Sequence, residues 1–296
     1  MTETIFITGA TGTVGQEVIR EFSRRGIPVR AGVRKPSQNP QNNPLVNFVE
    51  FDYLKPDLVR KALIGVSKIF LLSPFDPKLI DFEISLLQAA QNTGIRHIVK
   101  LSVYGAHMEP GISLTRWHQE VEDKIVQSRI PYTILRPNSF MQNFLNYSQT
   151  TIQSEGKIFA PAGSGRISFI DVRDIARTVV ETLMHERNLN KVYTLTGPDA
   201  LDHQTVAEIF SLALKRPVVY VDVPELEARA GMAASGMPDW RVKALMELYS
   251  LAKSGLTAEV TGAVKDITNQ PPIAFAQFVQ DFLPAFRESV DSSTSQ

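Results

Sequence analysis

The chain contains no cysteine. Disulfides, thiolate nucleophiles and cysteine-ligated metals are therefore excluded. It also has no apolar run long enough to span a bilayer. Neither sign of charge is in excess: Lys+Arg and Asp+Glu both number 31, so nothing global draws the protein to nucleic acid or to an anionic membrane. No segment repeats, and His97, His107, His118, His185 and His203 are scattered rather than set at ligand spacing, so no metal site is expected. The opening residues go straight into a strand pattern, from which no signal peptide and a cytoplasmic location are expected. What is present suits a globular protein of one or two domains: 296 residues, 43% hydrophobic and 21% charged.

The most informative stretch is Thr4 to Ile19. A short apolar run rich in β-branched and aromatic residues reads as a buried parallel strand. Val14, Val18, Ile19 and Phe22 then fall on one helix face. Between them lies Gly9-x-x-Gly12-x-x-Gly15, related to the commoner dinucleotide spacing but not identical to it. A strand, a tight turn and a helix N-terminus together form an anion site, because first-turn N–H groups point outward and the helix dipole favours negative charge. Gly9 lets the chain turn, Gly12 lets a pyrophosphate approach and Gly15 lets helix and strand pack closely. Thr11, Thr13 and Val14 complete this expected phosphate cradle.

Strand and helix patterns then alternate. Strands are expected at 28–33, 46–51, 68–72, 98–102 and 132–136, with helices through Ile80–Ala90 and near Trp117–Gln127. This alternation implies a doubly wound α/β sheet of parallel strands whose ligands bind at the carboxyl ends. Arg34 and Lys35 end the second strand where a carboxylate would suit NAD; cations there suit a 2′-phosphate and argue for NADPH over NADH. Asp52, followed by Tyr53, could accept from an adenine amino group or cap the next helix. Leu72, Ser73 and Pro74 leave the fourth strand beside the expected ribose, and Ser102, Tyr104 and Asn138 fall on the expected nicotinamide rim.

These residues resemble the NmrA-like group of atypical short-chain dehydrogenases/reductases. The matching pieces are 7–15, Gly32-Val33-Arg34, 131–138, 169–176 and a stretch from Thr257 to Phe275, so the resemblance covers nearly the whole chain. It implies an NADP(H)-binding Rossmann domain, assigned to 1–150, and a smaller α+β substrate domain over 151–288 with return segments to the core. A flexible tail is expected at 289–296. The family includes NAD(P)H quinone reductases, dye reductases and redox-sensing regulators.

One departure shapes the chemistry. Short-chain dehydrogenases normally carry Tyr-x-x-x-Lys after the fifth strand, where the lysine lowers the tyrosine pKa. Here His118 stands at the tyrosine position and Glu122 at the lysine position, one turn apart. That pattern is similar to the quinone- and dye-reductase branch and favours an electron-poor acceptor over alcohol oxidation. His118 and Tyr104 are the candidate proton donors, with Glu122 as partner to His118. Phe140, Met141, Asn143 and Phe144 mix amide and apolar groups suited to a flat acceptor, and Phe140 and Phe144 equally suit a core at helical spacing.

In the second half, 156–165 reads as hairpin or loop, 168–172 as strand, and Asp171 or Asp174 as the cap of the next helix. Strands are expected at 192–196 and 217–223. The Met- and Gly-containing stretch 225–256 reads as a lid over a substrate, with an interaction surface as the alternative. The expected function is NADPH-dependent reduction of a small conjugated acceptor: a quinone, dye, imine or enone. The alternatives are a non-catalytic NADP(H) sensor acting through a protein partner, and a dedicated reductase of secondary metabolism. Expected partners are the acceptor and no nucleic acid or membrane, with a homodimer left open.

Overall fold

The computed structural model describes residues 3–36, 43–91, 93–109 and 111–287. The expected tail at 289–296 lies outside the described residues. Along the chain the elements run β1 (Ile5–Ile7), α1 (Thr13–Arg24), β2 (Val29–Val33), β3 (Val46–Glu50), α2 (Pro56–Ala62), β4 (Lys68–Leu71), α3 (Leu79–Ala90), β5 (His97–Leu101), α4 (Ser113–Gln127) and β6 (Tyr132–Pro137). They continue with a π-helical turn (Phe144–Ser148), α5 (Gln149–Glu155), β7 (Lys157–Ala160), α6 (Val172–Met184), a 3-10 turn (Glu186–Asn188), β8 (Lys191–Leu195), α7 (His203–Leu214) and β9 (Val219–Asp222). The remaining helices are α8 (Glu225–Ala234), α9 (Asp239–Lys253), α10 (Ala263–Thr268), α11 (Phe275–Asp281) and α12 (Leu283–Phe286).

The chain divides into two compact units. The first takes the residues up to Pro137, then Val172–Leu195 and Gly262–Pro271. Its sheet has seven strands in the order β3-β2-β1-β4-β5-β6-β8, all parallel. Every side chain of β1 is buried, because the central strand is covered on both faces. On one face α1 packs against α6, and Arg25 bridges Glu21 at 2.7 Å and Glu181 at 2.6 Å. The face of α1 that meets this layer holds Val14, Val18, Ile19 and Phe22, as their spacing predicts, each stabilising the fold by about 1.5–3 kcal/mol relative to exposure. The other face is closed by α2, α3 and α4, whose Val59, Leu86, Val121 and Ile125 join Phe6, Ile69 and Ile98 in one core.

The second unit takes Asn138–Asp171, Thr196–Thr261 and the residues from Pro272 on. Its sheet has two parallel strands, β7 and β9. Its core is aromatic: Phe144 meets Phe275 edge-on with ring centroids 5.2 Å apart, and Phe169, Phe210, Phe278 and Phe286 complete the cluster.

The α/β class with a parallel Rossmann-like sheet and a smaller region carrying a two-stranded sheet is as expected. Three local expectations are corrected. The stretch 156–165 is not simply hairpin or loop; it contains β7, which pairs with β9 some sixty positions on (Lys157 opposite Val219). The stretch 168–172 is not a strand: it makes one isolated bridge, Ile170 with Phe140, next to a second just before it, Ile167 with Leu201. Helix α4 begins at Ser113, four residues before the expected Trp117. Helix α8 has no buried residue at all.

Candidate functional site

The sheet order reverses between β1 and β4, which defines the crevice where such sheets hold ligands. Gly9 follows β1 with φ +61°, a left-handed conformation that glycine adopts without strain. A Cβ on Gly15 would lie 2.1 Å from the Gly9 carbonyl oxygen, so the helix can sit on the turn only because that residue has no side chain. Gly12 is different. It is exposed, its backbone is extended (φ −82°, ψ 170°), and a Cβ there would come no closer than 3.4 Å to the protein.

Gly12 is the N-cap of α1 and supplies no side-chain cap, and the first turn carries no acidic residue. The Gly12 amide bonds back to Gly9 at 3.0 Å, while those of Thr13, Val14 and Gly15 find no acceptor among the described residues. Thr11, Gly12 and Thr13 are all exposed. A twelve-residue helix thus presents open N–H groups and a positive dipole end at the switch point, which fits a diphosphate.

Arg34 and Lys35, just past β2, are both exposed, and neither forms an ion pair among the described residues. Asp52 uses Oδ1 to accept from the Leu54 amide at 3.0 Å, an Asx turn rather than a helix cap; α2 is capped by Lys55 without a side-chain bond. Tyr53 donates its hydroxyl to the Leu72 carbonyl at 3.0 Å and stacks on Phe82, and burial and the nearby Glu83 charge push its pKa well up. It therefore braces the β4 exit from behind.

That exit is held tightly. Thr8 Oγ1 accepts from the Leu72 amide at 2.8 Å and donates to the Leu72 carbonyl at 2.9 Å. Ser73 is buried and donates to Glu83 Oε1 at 2.7 Å, while Pro74 is exposed. Glu83 in turn receives Lys100 Nζ at 2.8 Å, and both side chains are completely buried. One strand over, Ser102 donates to Glu122 Oε1, and Arg136 forks onto both oxygens of Glu122 with Nε at 3.0 and 3.2 Å. Tyr104 follows Ser102, is buried, and has its amide on the Pro137 carbonyl at 2.8 Å.

Glu122 is accordingly committed to Arg136 and Ser102; the structure does not bring it into a hydrogen-bonded pair with His118. His118 is buried, its Nδ1 has no partner among the described residues, and burial together with the Lys100 charge pushes its pKa well below the ordinary histidine value. At neutral pH its ring is uncharged. Glu83, Lys100 and Arg136 were missed in the sequence. The signal was there: Lys100 interrupts the apolar run 98–101 of a strand covered on both faces.

The remaining named residues lie in the second unit. Asn138 is buried and donates to Ser168 Oγ at 2.7 Å and the Thr257 carbonyl at 2.9 Å. Met141 and Phe144 are buried in the aromatic core, the packing that helical spacing also suited for Phe144. Phe140 and Asn143 are half-buried. Among the described residues no group of acids or histidines could hold a metal, and no helix is long and apolar enough to cross a membrane.

The chain is 34% identical over 283 residues to the NAD(P)H azoreductase of Xenophilus azovorans, covering 95% of this chain and 99% of that protein. The NADPH complex of an NADPH-dependent quinone oxidoreductase from Escherichia coli superposes with a TM-score of 0.84 at 25% identity, covering 94% of this chain and 99% of that one. The NADP(H) complex of the Citrobacter sp. triphenylmethane reductase gives 0.82 at 25% identity with the same coverage. Residues 1–263 match the pattern of the NmrA-like family, and with a glycine turn, a switch-point crevice and full-length relatives in agreement, the chain belongs to the NmrA-like family.

Proposed function

We propose that this protein is an NADPH-dependent reductase of small conjugated acceptors such as quinones, azo or triphenylmethane dyes, imines or enones. The observation that carries the reading is the row of open amides at Thr13–Gly15, in the first turn of the helix at the sheet's switch point. Those amides would hold the diphosphate, and Arg34 with Lys35 would hold the 2′-phosphate. When bound, the nicotinamide supplies a hydride. The relatives named above, which act on azo dyes, quinones and triphenylmethane dyes, support the acceptor class.

The chain's own part is to bind, orient and manage one proton. With Glu122 engaged by Arg136, that proton falls to His118 and Tyr104. His118 enters as a neutral imidazole and serves as a hydrogen-bond group on the acceptor rather than as a standing acid. Phe140 and Asn143, the two half-buried members of their segment, are assigned to the acceptor.

The test is NADPH oxidation, followed by loss of the reduced-nicotinamide absorbance, against a panel of quinones, dyes and imines. Acceptor-dependent turnover is expected. A protein that binds NADPH but turns over none of them would instead be a nucleotide sensor.

A further inference from the structure

Two consecutive β-α-β segments carry the same three-residue arrangement. Ser73 leaves β4, donates to Glu83 on the following helix α3, and Glu83 pairs with Lys100 on the next strand β5. Ser102 leaves β5, donates to Glu122 on the following helix α4, and Glu122 pairs with Arg136 on the next strand β6. Both serines lie at carboxyl ends of parallel strands, the edge where such sheets bind ligands. Both have their hydroxyl proton taken by a carboxylate, so each offers only lone pairs to a neighbour.

Stability alone does not call for charges here. A buried ion pair loses hydration that its mutual attraction barely repays, and apolar residues of similar size serve the fold as well. Glu83 and Lys100 are entirely buried, and Glu83 Oε2 has no partner among the described residues. What the pair does achieve is local. Lys100 also donates to the Leu101 carbonyl at 2.5 Å, so one ammonium joins the last residue of β5 to the carboxylate holding Ser73. Ser73 directly follows Leu72, the residue against which Gly9 of the turn is packed.

We propose that the Glu83–Lys100 pair is a positioning device for nucleotide binding: it fixes Ser73 as a hydrogen-bond acceptor at the β4 exit, matched to a donor hydroxyl on the cofactor ribose. This rests on the NADPH reading above. Glu83 and Lys100 are positioning residues, since neither is exposed to a ligand. Ser73 is the residue through which they act.

The experiment measures NADPH affinity and thermal midpoint together on the full-length chain. Wild-type protein that fails to bind NADPH sinks the cofactor reading itself, before this proposal is reached. Given wild-type binding, Glu83→Leu/Lys100→Met removes both charges while leaving the Ser73 hydroxyl in place. The expected result is an unchanged or higher midpoint with NADPH affinity weakened about tenfold, the size of one misplaced hydrogen bond. Glu83→Gln/Lys100→Met restores an acceptor for Ser73 without charge and should recover that affinity. Wild-type affinity in the Leu/Met variant, or equal loss in both double variants, overturns the proposal. Should the Leu/Met variant fail to fold, Ser73→Ala carries the test: a loss of similar size at an unchanged midpoint supports the proposal, and wild-type affinity overturns it.

Discussion

The two serine–glutamate–cation arrangements differ in one residue, and the difference shows what a cation's shape does in a dry site. Arg136 meets Glu122 with a planar fork, and both carboxylate oxygens are satisfied. Lys100 meets Glu83 as a point charge, and Oε2 of Glu83 is left with no hydrogen bond among the described residues. Burial accordingly raises the pKa of Glu83 despite the ammonium beside it. The lysine's field also reaches His118. One arrangement is closed on itself; the other is incompletely satisfied and electrically coupled to the candidate proton donor.

The largest expected effect comes from breaking the weaker arrangement. Lys100→Met leaves the Glu83 carboxylate buried without its cation and should cost about 3–5 kcal/mol in denaturant unfolding. Because the folded-state pKa of Glu83 is already raised, its neutral form stabilises the fold at low pH. That contribution is present below its ordinary carboxylate value and is lost as pH rises through the folded value. The variant's deficit should therefore shrink on acidification; a deficit independent of pH would show that the Glu83 charge is not its cause.

Arg136→Lys should cost less, about 1–2 kcal/mol, by turning the fork into a point charge and orphaning one oxygen of Glu122 as in its neighbour. Unfolding midpoints equal to wild type would mean that the fork has no advantage over a point charge. The smallest effect concerns His118. Its imidazole, titrated by NMR, should move back toward the ordinary histidine value in Glu83→Leu/Lys100→Met and stay put in Arg136→Lys. A His118 resonance unmoved in the first variant would remove Lys100 as a cause of its low pKa.

The parts of this molecule that could be read from the sequence are those set by local pattern. The glycine turn, the helix face of Val14, Val18, Ile19 and Phe22, and the alternation that makes a parallel sheet are all local, and all stand as expected. What could not be read depends on distant partners. β7 is four residues whose strand character comes from β9, far along the chain. Glu122 sits one turn from His118, yet its partner is Arg136 on another element, so helical spacing alone pointed to the wrong neighbour. Phe144 could suit a ligand or a core, and its ring partners Phe275 and Phe210 lie far along the chain, out of reach of any local pattern. The open helix end at Gly12 was legible because its chemistry lies in one short segment and in what that segment omits: a capping side chain and a first-turn carboxylate.

The central claim is that the first turn of α1 holds a diphosphate while Arg34 selects the phosphorylated ribose. It is tested most directly by calorimetric titration of wild type and Arg34→Ala with NADPH and with NADH. The account predicts tighter binding of NADPH by wild type, and a preference that collapses in Arg34→Ala by about 10-fold or more, through loss of NADPH affinity with NADH little changed. Saturable binding of neither nucleotide, or the same preference in both proteins, would contradict it.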